Sequence, residues 1–450
     1  MDYYNENIKY IEKSMLNKIE KKIKENRIIE EISKSGEVIF KIKIDKEREI
    51  YLNSKYNPIT EATRFIKNNV DFSKEDFLII GFGLGYHIEE ILNELKENQR
   101  LFIVVVNLDV FKKALYLRKL TKILKDKRIE FILGDKKEII NGLKEKSENI
   151  KKESQIIIHY SSLEIMKEEY LELKDIFEKM DMDRKSILAQ KDIIKENTEK
   201  NQKSIMEDEG INNYINRYKN KPVFIISAGP SLDKNIMELK KVGKKGIIIS
   251  VGTILDKLMK AGIRPDFIVI IDGLENIYNQ IKEYLNENIP LLYIPGVNSK
   301  ALDSYNGKKI VAFPEDDVIF DEMERQFKKG RVRSGGSVST VAMDFARVLG
   351  ANPIVFVGQD LALTNDGKSH SLGTMREDNK NILKILKKVK GVNGEVLYTY
   401  KNLYHYLRWI EKEIQRNKDK KYIDATEGGA KIRGTIVMKL KEAVKVYCIE

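Results

Sequence analysis

Runs of apolar residues, each closed by glycine or polar positions, recur from residue 76 onward and predict buried strands that alternate with helices. The segments DFLIIGFGLGYHIEEIL, RLFIVVVNLDVFKKAL and RIEFILGDKKEIINGL each fit a strand, a turn and a helix, and SQIIIHY adds a strand. Uninterrupted apolar strands alternating with helices indicate a parallel sheet covered on both faces. Residues 71–165 are therefore predicted to form a Rossmann-like N-terminal domain.

The same alternation resumes at Pro222, with strands predicted in VFIIS, KGIIISV, DFIVIID, LLYIP, KIVAF and PIVFVG. We expect a second doubly wound domain over residues 221–375. Residues 166–220 carry many Lys and Glu and no strand pattern, so they are predicted to be a helical linker.

The two ends of the chain show different patterns. Residues 1–70 are predicted to hold an N-terminal helix over the first thirty or so residues and a β-hairpin, because EVIFKIKID alternates and REIYLNS can pair with it. The amphipathic run LYHYLRWIEKEIQ makes residues 376–450 a mostly helical segment. The predicted fold class is α/β, with two Rossmann-like doubly wound modules joined by helices and a helical C-terminal part.

The content of charged residues limits the classes of molecule that the protein is expected to bind. Lys and Arg number 81 and Asp and Glu 69 among 450 residues, a formal net charge of +12. The excess positive charge is spread along the chain and mixed with Glu, which is typical of a solvated surface. No block of basic residues indicates an arm that binds nucleic acid. The positive charge is also compatible with binding phosphorylated small molecules. No long apolar run or apolar leader segment occurs, so we expect a cytoplasmic protein with no membrane span.

Ligands for a metal ion or a disulfide are scarce. The single cysteine, Cys448, excludes an internal disulfide, and His87, His159, His370 and His405 are scattered. No metal site is predicted. The oligomeric state stays open, and an oligomer is compatible with the sequence.

The turn after the strand VFIIS is the first candidate site, because ligands of open α/β sheets bind beyond the carboxyl ends of strands. Gly229 allows close approach, Pro230 suits the first turn of a helix, and Ser231 offers a hydroxyl. The free N–H groups of a following helix would suit a phosphate. A plain capped turn explains these residues equally well, and no GK[ST] follows.

Further strand ends carry polar groups. Asp272 ends the strand DFIVIID, where a ribose contact, a metal contact and a helix N-cap are all compatible with it. Gly335, Gly336 and Ser337 precede a helix. The glycine-rich GFGLG turn of the first domain resembles a methyltransferase turn, with a structural turn as the simpler explanation.

The loop after PIVFVG gathers reactive side chains. Gln359 and Asp360 end that strand, and His370 follows in a Gly/Ser-rich loop, where it could act as a general base. A second polar loop, DATEGGAKIRGT, carries Glu427, Lys431 and Arg433 and could close over a donor or acceptor.

Taken in order, SKYNPITEA, GFGLGYHIEEI, FIISAGPSLDKNI, GIRPDFIVIID, SGGSVSTVAMDFARVLGANPIVFVGQDLALT, SHSLG and DATEGGAKIRGT resemble the motility accessory factor family over residues 50 to 435. That family is thought to transfer nonulosonic acids, relatives of sialic acid, from CMP-sugars to Ser or Thr of flagellin. Its central module is similar to bacterial sialyltransferases.

The resemblance implies roles for the candidate residues. The donor CMP-nonulosonic acid would be bound by Ser227, Gly229, Pro230, Ser231, Asp272, Gly335, Gly336, Ser337 and Gln359. His370, with Asp360, would form the catalytic pair, and no cofactor is required. The same module also resembles archaeal 6-hydroxymethylpterin pyrophosphokinases, so an ATP-dependent diphosphotransferase is the alternative, with Mg²⁺ expected under that reading only.

Overall fold

The computed structural model of the chain forms two compact units, Met1–Arg184 and Lys185–Glu450, which are described separately. The structure describes residues 2–20, 27–44, 48–147, 154–315, 320–364, 367–371 and 386–449.

The first unit contains eight helices and seven strands within its described residues, and the long helix α9 begins in it. The helices are α1 Tyr4–Asn7, α2 Lys13–Glu20, α3 Pro58–Asn69, α4 Tyr86–Glu94, α5 Leu108–Leu117, α6 Thr121–Lys125, α7 Lys136–Ser147, α8 Tyr160–Glu164 and α9 Leu171–Lys200. The strands are β1 Ile28–Ile32, β2 Val38–Lys43, β3 Glu49–Tyr51, β4 Asp76–Ile80, β5 Arg100–Val105, β6 Ile129–Leu133 and β7 Gln155–Ile158.

A four-stranded parallel sheet of order β6-β5-β4-β7 forms the centre of this unit. Its strands are mostly apolar and mostly buried, as the pattern predicts for a sheet covered on both faces. The predicted hairpin is β2 and β3, but it is joined by β1 in an antiparallel sheet. Ile28 and Ile29 belong to the stretch predicted as helical and instead lie in β1, because pairing with β2 covers them.

The second unit contains the remaining elements of the described residues. The helices are α10 Gln202–Glu207, α11 Leu232–Asn235, α12 Gly252–Lys260, α13 Asn276–Ile281, α14 Ser299–Ser304, α15 Asp321–Phe327, α16 Val338–Val348, α17 Lys401–Arg416 and α18 Leu440–Val444. The strands are β8 Glu209–Gly210, β9 Val223–Ile226, β10 Ile247–Val251, β11 Phe267–Ile270, β12 Leu291–Tyr293, β13 Lys309–Val311, β14 Phe313–Pro314, β15 Arg331–Val332, β16 Ile354–Val357, β17 Leu386–Lys390, β18 Val396–Tyr400, β19 Tyr422–Asp424 and β20 Ile436–Val437.

A nine-stranded parallel sheet of order β20-β19-β16-β9-β10-β11-β12-β13-β8 organises this unit. All six strands predicted for the second domain are present as β9, β10, β11, β12, β13 and β16. They are fully buried at their centres, with α16 packed against β9, β10 and β11 on one face. The α/β class with parallel sheets is thereby confirmed.

The C-terminal segment adds strands as well as helices to this unit. It supplies α17 and α18, and also β19 and β20, which extend the sheet beyond β16. Tyr422 and Ile423 have too few apolar neighbours in sequence to signal a strand, yet β16 offers them an open edge to pair with. The predicted boundary at residues 375 and 376 therefore cuts across one sheet.

Candidate functional site

The candidate site lies where the strand order of the nine-stranded sheet reverses. The chain passes from β9 to β10 on one side, whereas β16 pairs with the other side of β9. In open α/β sheets such a switch point leaves a crevice at the carboxyl ends of the strands, where ligands bind. The turns after β9 and β16 meet there.

The turn after β9 is held tightly against the end of β16. Ser227 Oγ donates to Gln359 Oε1 (2.6 Å), and the Gly229 N–H donates to Gly358 O (2.8 Å). A Cβ atom on Gly229 would lie 2.0 Å from Asp360 Oδ2, so only glycine fits. The two turns therefore form one packed unit.

The predicted helix after Ser231 is shorter than the sequence suggests. α11 has four residues and continues as a 3₁₀ helix over Ile236–Lys241. Its dipole is correspondingly smaller than that of a long helix. The donors of Ser231 are also engaged, since its N–H (3.3 Å) and its hydroxyl (2.7 Å) both donate to Asp360 Oδ2.

Asp360 is a buried carboxyl group in this crevice. Burial, with a smaller contribution from the Asp424 charge, raises its pKa to about 6, although the Ser231 hydrogen bonds and the Lys234 charge act in the opposite direction. A carboxyl with such a pKa can exchange a proton near neutral pH, which is typical of functional sites.

The loop that carries His370 reaches the same turn. The Ser371 N–H donates to Ala228 O (2.8 Å), and its hydroxyl donates to the Asp233 carboxylate. Lys257 donates to Ser371 Oγ (2.6 Å). His370 is half-buried, with Nδ1 2.7 Å from Ser369 Oγ. The structure thus brings the predicted histidine to the neighbourhood of the predicted turn.

A cleft of about 170 Å³ opens beyond the ends of β10 and β11. Asp272, Gly336 and Ser337 line it together, whereas Ser227, Gly229, Pro230, Ser231 and Gln359, predicted to share one donor pocket with them, are not among its lining residues. Ser337 caps α16 by accepting from the Thr340 N–H (3.4 Å). Tyr406 of α17 forms another wall; sequence reasoning missed it, although it lies in the amphipathic run singled out there.

Gly335 lies behind this cleft and is not among its lining residues. A Cβ atom at Gly335 would meet the Trp409 ring at 2.6 Å, so the glycine makes room for α17. Its N–H donates to Thr340 Oγ1 (2.9 Å). Gly335 therefore supports the cleft, whereas Gly336 and Ser337 face it.

The polar loop after β19 contacts the crevice through its backbone and Thr426. The Ala430 N–H donates to Asp360 O (2.7 Å), and the Gln359 N–H donates to Thr426 Oγ1 (3.3 Å). Glu427 Oε1 instead accepts from Asn235 Nδ2 (2.8 Å) and from the N–H of Leu440, where it caps α18.

The two cations predicted in this loop lie on its outer side. Lys431 is exposed, and its N–H donates to Lys390 O (2.8 Å). The Arg433 side chain is 72% exposed, with Nε 3.7 Å from Glu411 Oε1. In this arrangement both are available to solvent.

Asp424, the last residue of β19, is a buried carboxyl group that sequence reasoning did not select. Its side chain is 1% exposed, Oδ1 accepts from the Thr426 N–H (3.2 Å), and burial raises its pKa to about 6. Among the described residues, no donor lies at hydrogen-bond distance from Oδ2. Its position at a strand end in YIDATEGG is the signal that could have found it.

The glycine turn of the first unit is filled by the protein's own side chains. His87 and His159 are buried and stack with ring centroids 4.2 Å apart, and His87 Nε2 lies 3.0 Å from Gly81 O. Asn107 Nδ2 donates to Ser162 O (2.8 Å). These contacts are those of a structural turn.

None of the helices in the described ranges is long and apolar enough to cross a membrane.

Two family models match this chain. That of the glycosyltransferase Maf N-terminal domain matches residues 3–180, and that of the 6-hydroxymethylpterin diphosphokinase MptE-like family matches residues 196–366. The first match covers most of the first unit, and the second covers the second unit as far as residue 366.

Among solved structures, the chain is similar to a MAf glycosyltransferase from Magnetospirillum magneticum AMB-1, with a TM-score of 0.51 and 15% identity. The alignment covers 99% of this chain and 76% of that chain, and at this identity it establishes the fold. A search among curated proteins gave no match.

Proposed function

Because the chain belongs to the Maf family of glycosyltransferases, we propose that it transfers a nonulosonic acid from a CMP-activated donor to Ser or Thr of flagellin. It would act in the cytoplasm and support flagellum assembly and motility. The observation that carries the proposal is the crevice at the strand-order reversal, where the turns after β9 and β16 and the His370 loop converge.

The donor would lie along the carboxyl edge of the sheet. Ser227, Ser231 and Gln359 supply polar atoms at the switch point, and Asp272 and Ser337 supply others in the cleft beside β11. The N–H groups at the start of the eleven-residue helix α16 favour an anion there. The donor is an anion, which agrees with this placement.

The acceptor would be activated by His370. The imidazole takes the proton of the acceptor hydroxyl as its oxygen attacks the anomeric carbon with inversion, and CMP leaves with the electron pair of the broken bond. Ser369 Oγ, 2.7 Å from Nδ1, would orient the ring. The charge that grows on the departing phosphate would be stabilised by the hydroxyl and N–H donors of the crevice.

The direct test is intact-mass analysis of flagellin incubated with the protein and a panel of CMP-nonulosonic acids. We expect a mass increase of one sugar or more. Absence of transfer from every donor, together with pterin diphosphorylation, would contradict the proposal.

His370→Gln tests the base separately. Loss of a general base costs about 10²–10⁴-fold in rate, so kcat should fall by that order while donor affinity is kept. Lys368→Ala, an exposed neighbour in the same loop, is the matched control and should retain activity. Full activity in His370→Gln would remove the base assignment alone.

A second candidate is an ATP-dependent diphosphotransferase acting on 6-hydroxymethylpterin, which the family match over residues 196–366 favours. Mg²⁺ takes one or two carboxylates together with substrate phosphates, and Asp360 and Asp424 could supply these, since no donor in the described part of the chain lies at hydrogen-bond distance from Asp424 Oδ2. The described residues hold no group of three or more His, Cys, Asp or Glu placed as metal ligands. Incubation with ATP, Mg²⁺ and the pterin, with release of AMP as readout, tests it.

A further inference from the structure

The C-terminal part of α9 belongs to the second unit, where it packs onto the loops that follow β11 and β12. Gly273 lies in the first of these loops and Gly296 in the second. A Cβ atom on Gly273 would lie 3.2 Å from Ile193 Cγ2, and one on Gly296 would lie 2.8 Å from Ile194 Cγ2. The two glycines therefore let the helix approach the carboxyl edge of the nine-stranded sheet closely.

Asn197 of α9 joins these two loops through its side chain. Its Nδ2 donates to Gly273 O (3.0 Å) and to Gly296 O (3.5 Å), and its Oδ1 accepts from the Ser299 N–H (3.1 Å). The residue is 6% exposed, so these bonds are shielded from water. A buried amide that uses both its donor and its acceptor groups in this way fixes the two loops relative to the helix.

Asp272, which lines the cleft beside β11, immediately precedes one of these contacts. Its own carbonyl accepts from the Asn298 N–H (3.0 Å). The next carbonyl, that of Gly273, accepts from Asn298 Nδ2 (3.3 Å) as well as from Asn197. The backbone that carries the Asp272 side chain is thus fixed by two asparagines, and a shift of Gly273 would move the Asp272 carboxyl group within the cleft.

We propose that Asn197 is a positioning residue for donor binding, which fixes the loop after β11 so that the Asp272 carboxylate meets a hydroxyl group of the donor. The proposal rests on the proposed function, since it needs the CMP part of the donor to lie in the cleft beside β11. Asn197 is not among the residues that line this cleft, so it acts through Asp272. A carboxylate only accepts hydrogen bonds, and its placement decides whether a hydroxyl can reach it.

Asn201, about one helical turn further along the chain, provides a matched control. It is 3% exposed, and its Nδ2 donates to Pro295 O (2.9 Å) and Val297 O (2.8 Å). Among the described residues, its side chain therefore makes buried bonds of the same kind, but to the loop after β12 alone. Asn201→Ala should lower stability much as Asn197→Ala does, and should leave donor affinity unchanged.

Titration calorimetry with CMP tests the proposal, because CMP is common to every donor considered. Asn197→Ala should weaken CMP binding about tenfold, which is the order of one hydrogen bond that Asp272 no longer makes. Asn201→Ala should bind CMP with the affinity of the wild-type protein. Urea unfolding should show that the two variants lose similar stability, because each leaves buried carbonyl groups without their donor.

A double-variant cycle separates positioning of Asp272 from a general loosening of the structure. Asp272→Ala should weaken CMP binding by itself. Asn197→Ala added to it should cause no further weakening, because the group that Asn197 positions is then absent. Losses of affinity that add up would show that Asn197 acts elsewhere, and would contradict the inference.

Hydrogen exchange of the wild-type protein gives a measurement that needs no variant. CMP should increase the protection of a peptide that contains the N–H groups of Asn298 and Ser299, which donate to Asp272 and to the Asn197 side chain. The reason is that a ligand stabilises the arrangement to which it binds. Peptides of α3, in the first unit, should show no change.

The outcomes distinguish this inference from the proposed function. No binding of CMP by the wild-type protein would contradict both. Equal affinity for CMP in the wild type and Asn197→Ala, or equal losses in Asn197→Ala and Asn201→Ala, would contradict the inference alone. If Asn197→Ala does not fold, unchanged exchange at Asn298 and Ser299 on CMP binding would still overturn it.

Discussion

Gly229 shows how one residue joins the two turns of the crevice. It follows β9, and its missing side chain lets the Asp360 carboxyl and the Gly358 carbonyl approach to 2.0 Å and 2.4 Å of where a Cβ atom would be. Neither group can move away easily, because the Gly358 carbonyl is part of the backbone and the Asp360 carboxyl group accepts a hydrogen bond from the Ser231 hydroxyl. The sequence signal of a glycine at a strand end thus has a specific steric cause.

Gly229→Ala should therefore displace Asp360 and break its bonds to Ser231. We expect a loss of stability of about 1–3 kcal/mol from overpacking and a marked loss of transfer activity. Gly428→Ala is the matched control, because a Cβ there finds its nearest atom at 3.4 Å. Urea unfolding and the flagellin mass assay check both variants; equal behaviour of the two would contradict the steric argument.

Helix α16 shows how an element positions part of the cleft. Its N-terminus is fixed by a capping box, in which the Ser337 side chain accepts from the Thr340 N–H and the Thr340 side chain accepts from the Ser337 N–H. Thr340 Oγ1 also accepts a hydrogen bond from the Gly335 N–H. The helix packs across β9, β10 and β11, so its start is carried to the carboxyl edge of the sheet. Trp409 and Tyr406 of α17 pack against Gly335 and Gly336 from the other side.

Ser337→Ala should loosen this N-terminus. Loss of an N-cap costs about 1 kcal/mol of stability, and donor affinity should fall with it because Ser337 lines the cleft. Asn57→Ala removes a comparable cap from α3 and should cost similar stability without changing donor affinity. Urea unfolding and calorimetry with CMP-N-acetylneuraminic acid separate the two effects; an equal affinity loss in both variants would argue against a local role.

At the scale of the whole molecule, the two units carry buried titratable pairs of opposite kind. Burial lowers the pKa of His87 to about 4, with the Arg118 charge adding to the effect, and lowers that of His159 well below its usual range. Burial raises the pKa of Asp360 and Asp424 to about 6. The units should therefore respond to acid in opposite directions.

The sign of the change in unfolding free energy depends on whether the folded or the unfolded state binds protons at the higher pH. The unfolded histidines protonate before the folded ones, so the first unit loses stability as pH falls from about 6.5 toward 4. The folded carboxyls protonate before the unfolded ones, so the second unit gains stability at the pair as pH falls from about 6 toward 4. Above pH 6 the carboxyl pair costs stability in full.

Hydrogen exchange measured by mass spectrometry at pH 7.5 and 5.0, corrected for intrinsic rates, checks this. Peptides from β4 and α4 should lose protection at pH 5.0, and those from β16 and β19 should hold or gain it. His87→Gln, which can still donate to Gly81 O, should reduce the first response and leave the second unchanged. The same direction of change in both units would contradict the assignment.

Much of the fold was predictable because its determinants are local. The strands of both parallel sheets are short apolar runs, and strand-end glycines mark the turns. The segments that escaped prediction depend on partners: Ile28 and Ile29 become a strand by pairing with β2, and Tyr422 and Ile423 by pairing with β16.

By itself the sequence determined the α/β alternation, the positions of the strand ends and the residue types that stand there, since burial on two faces and backbone conformation act over a few residues. Only the tertiary structure decided which strand ends meet. It set Ser231 against Asp360, 129 positions away, buried Asp424 at the end of β19, and shortened α11 to one turn. These outcomes depend on strand order and on desolvation, which are properties of the assembled sheet.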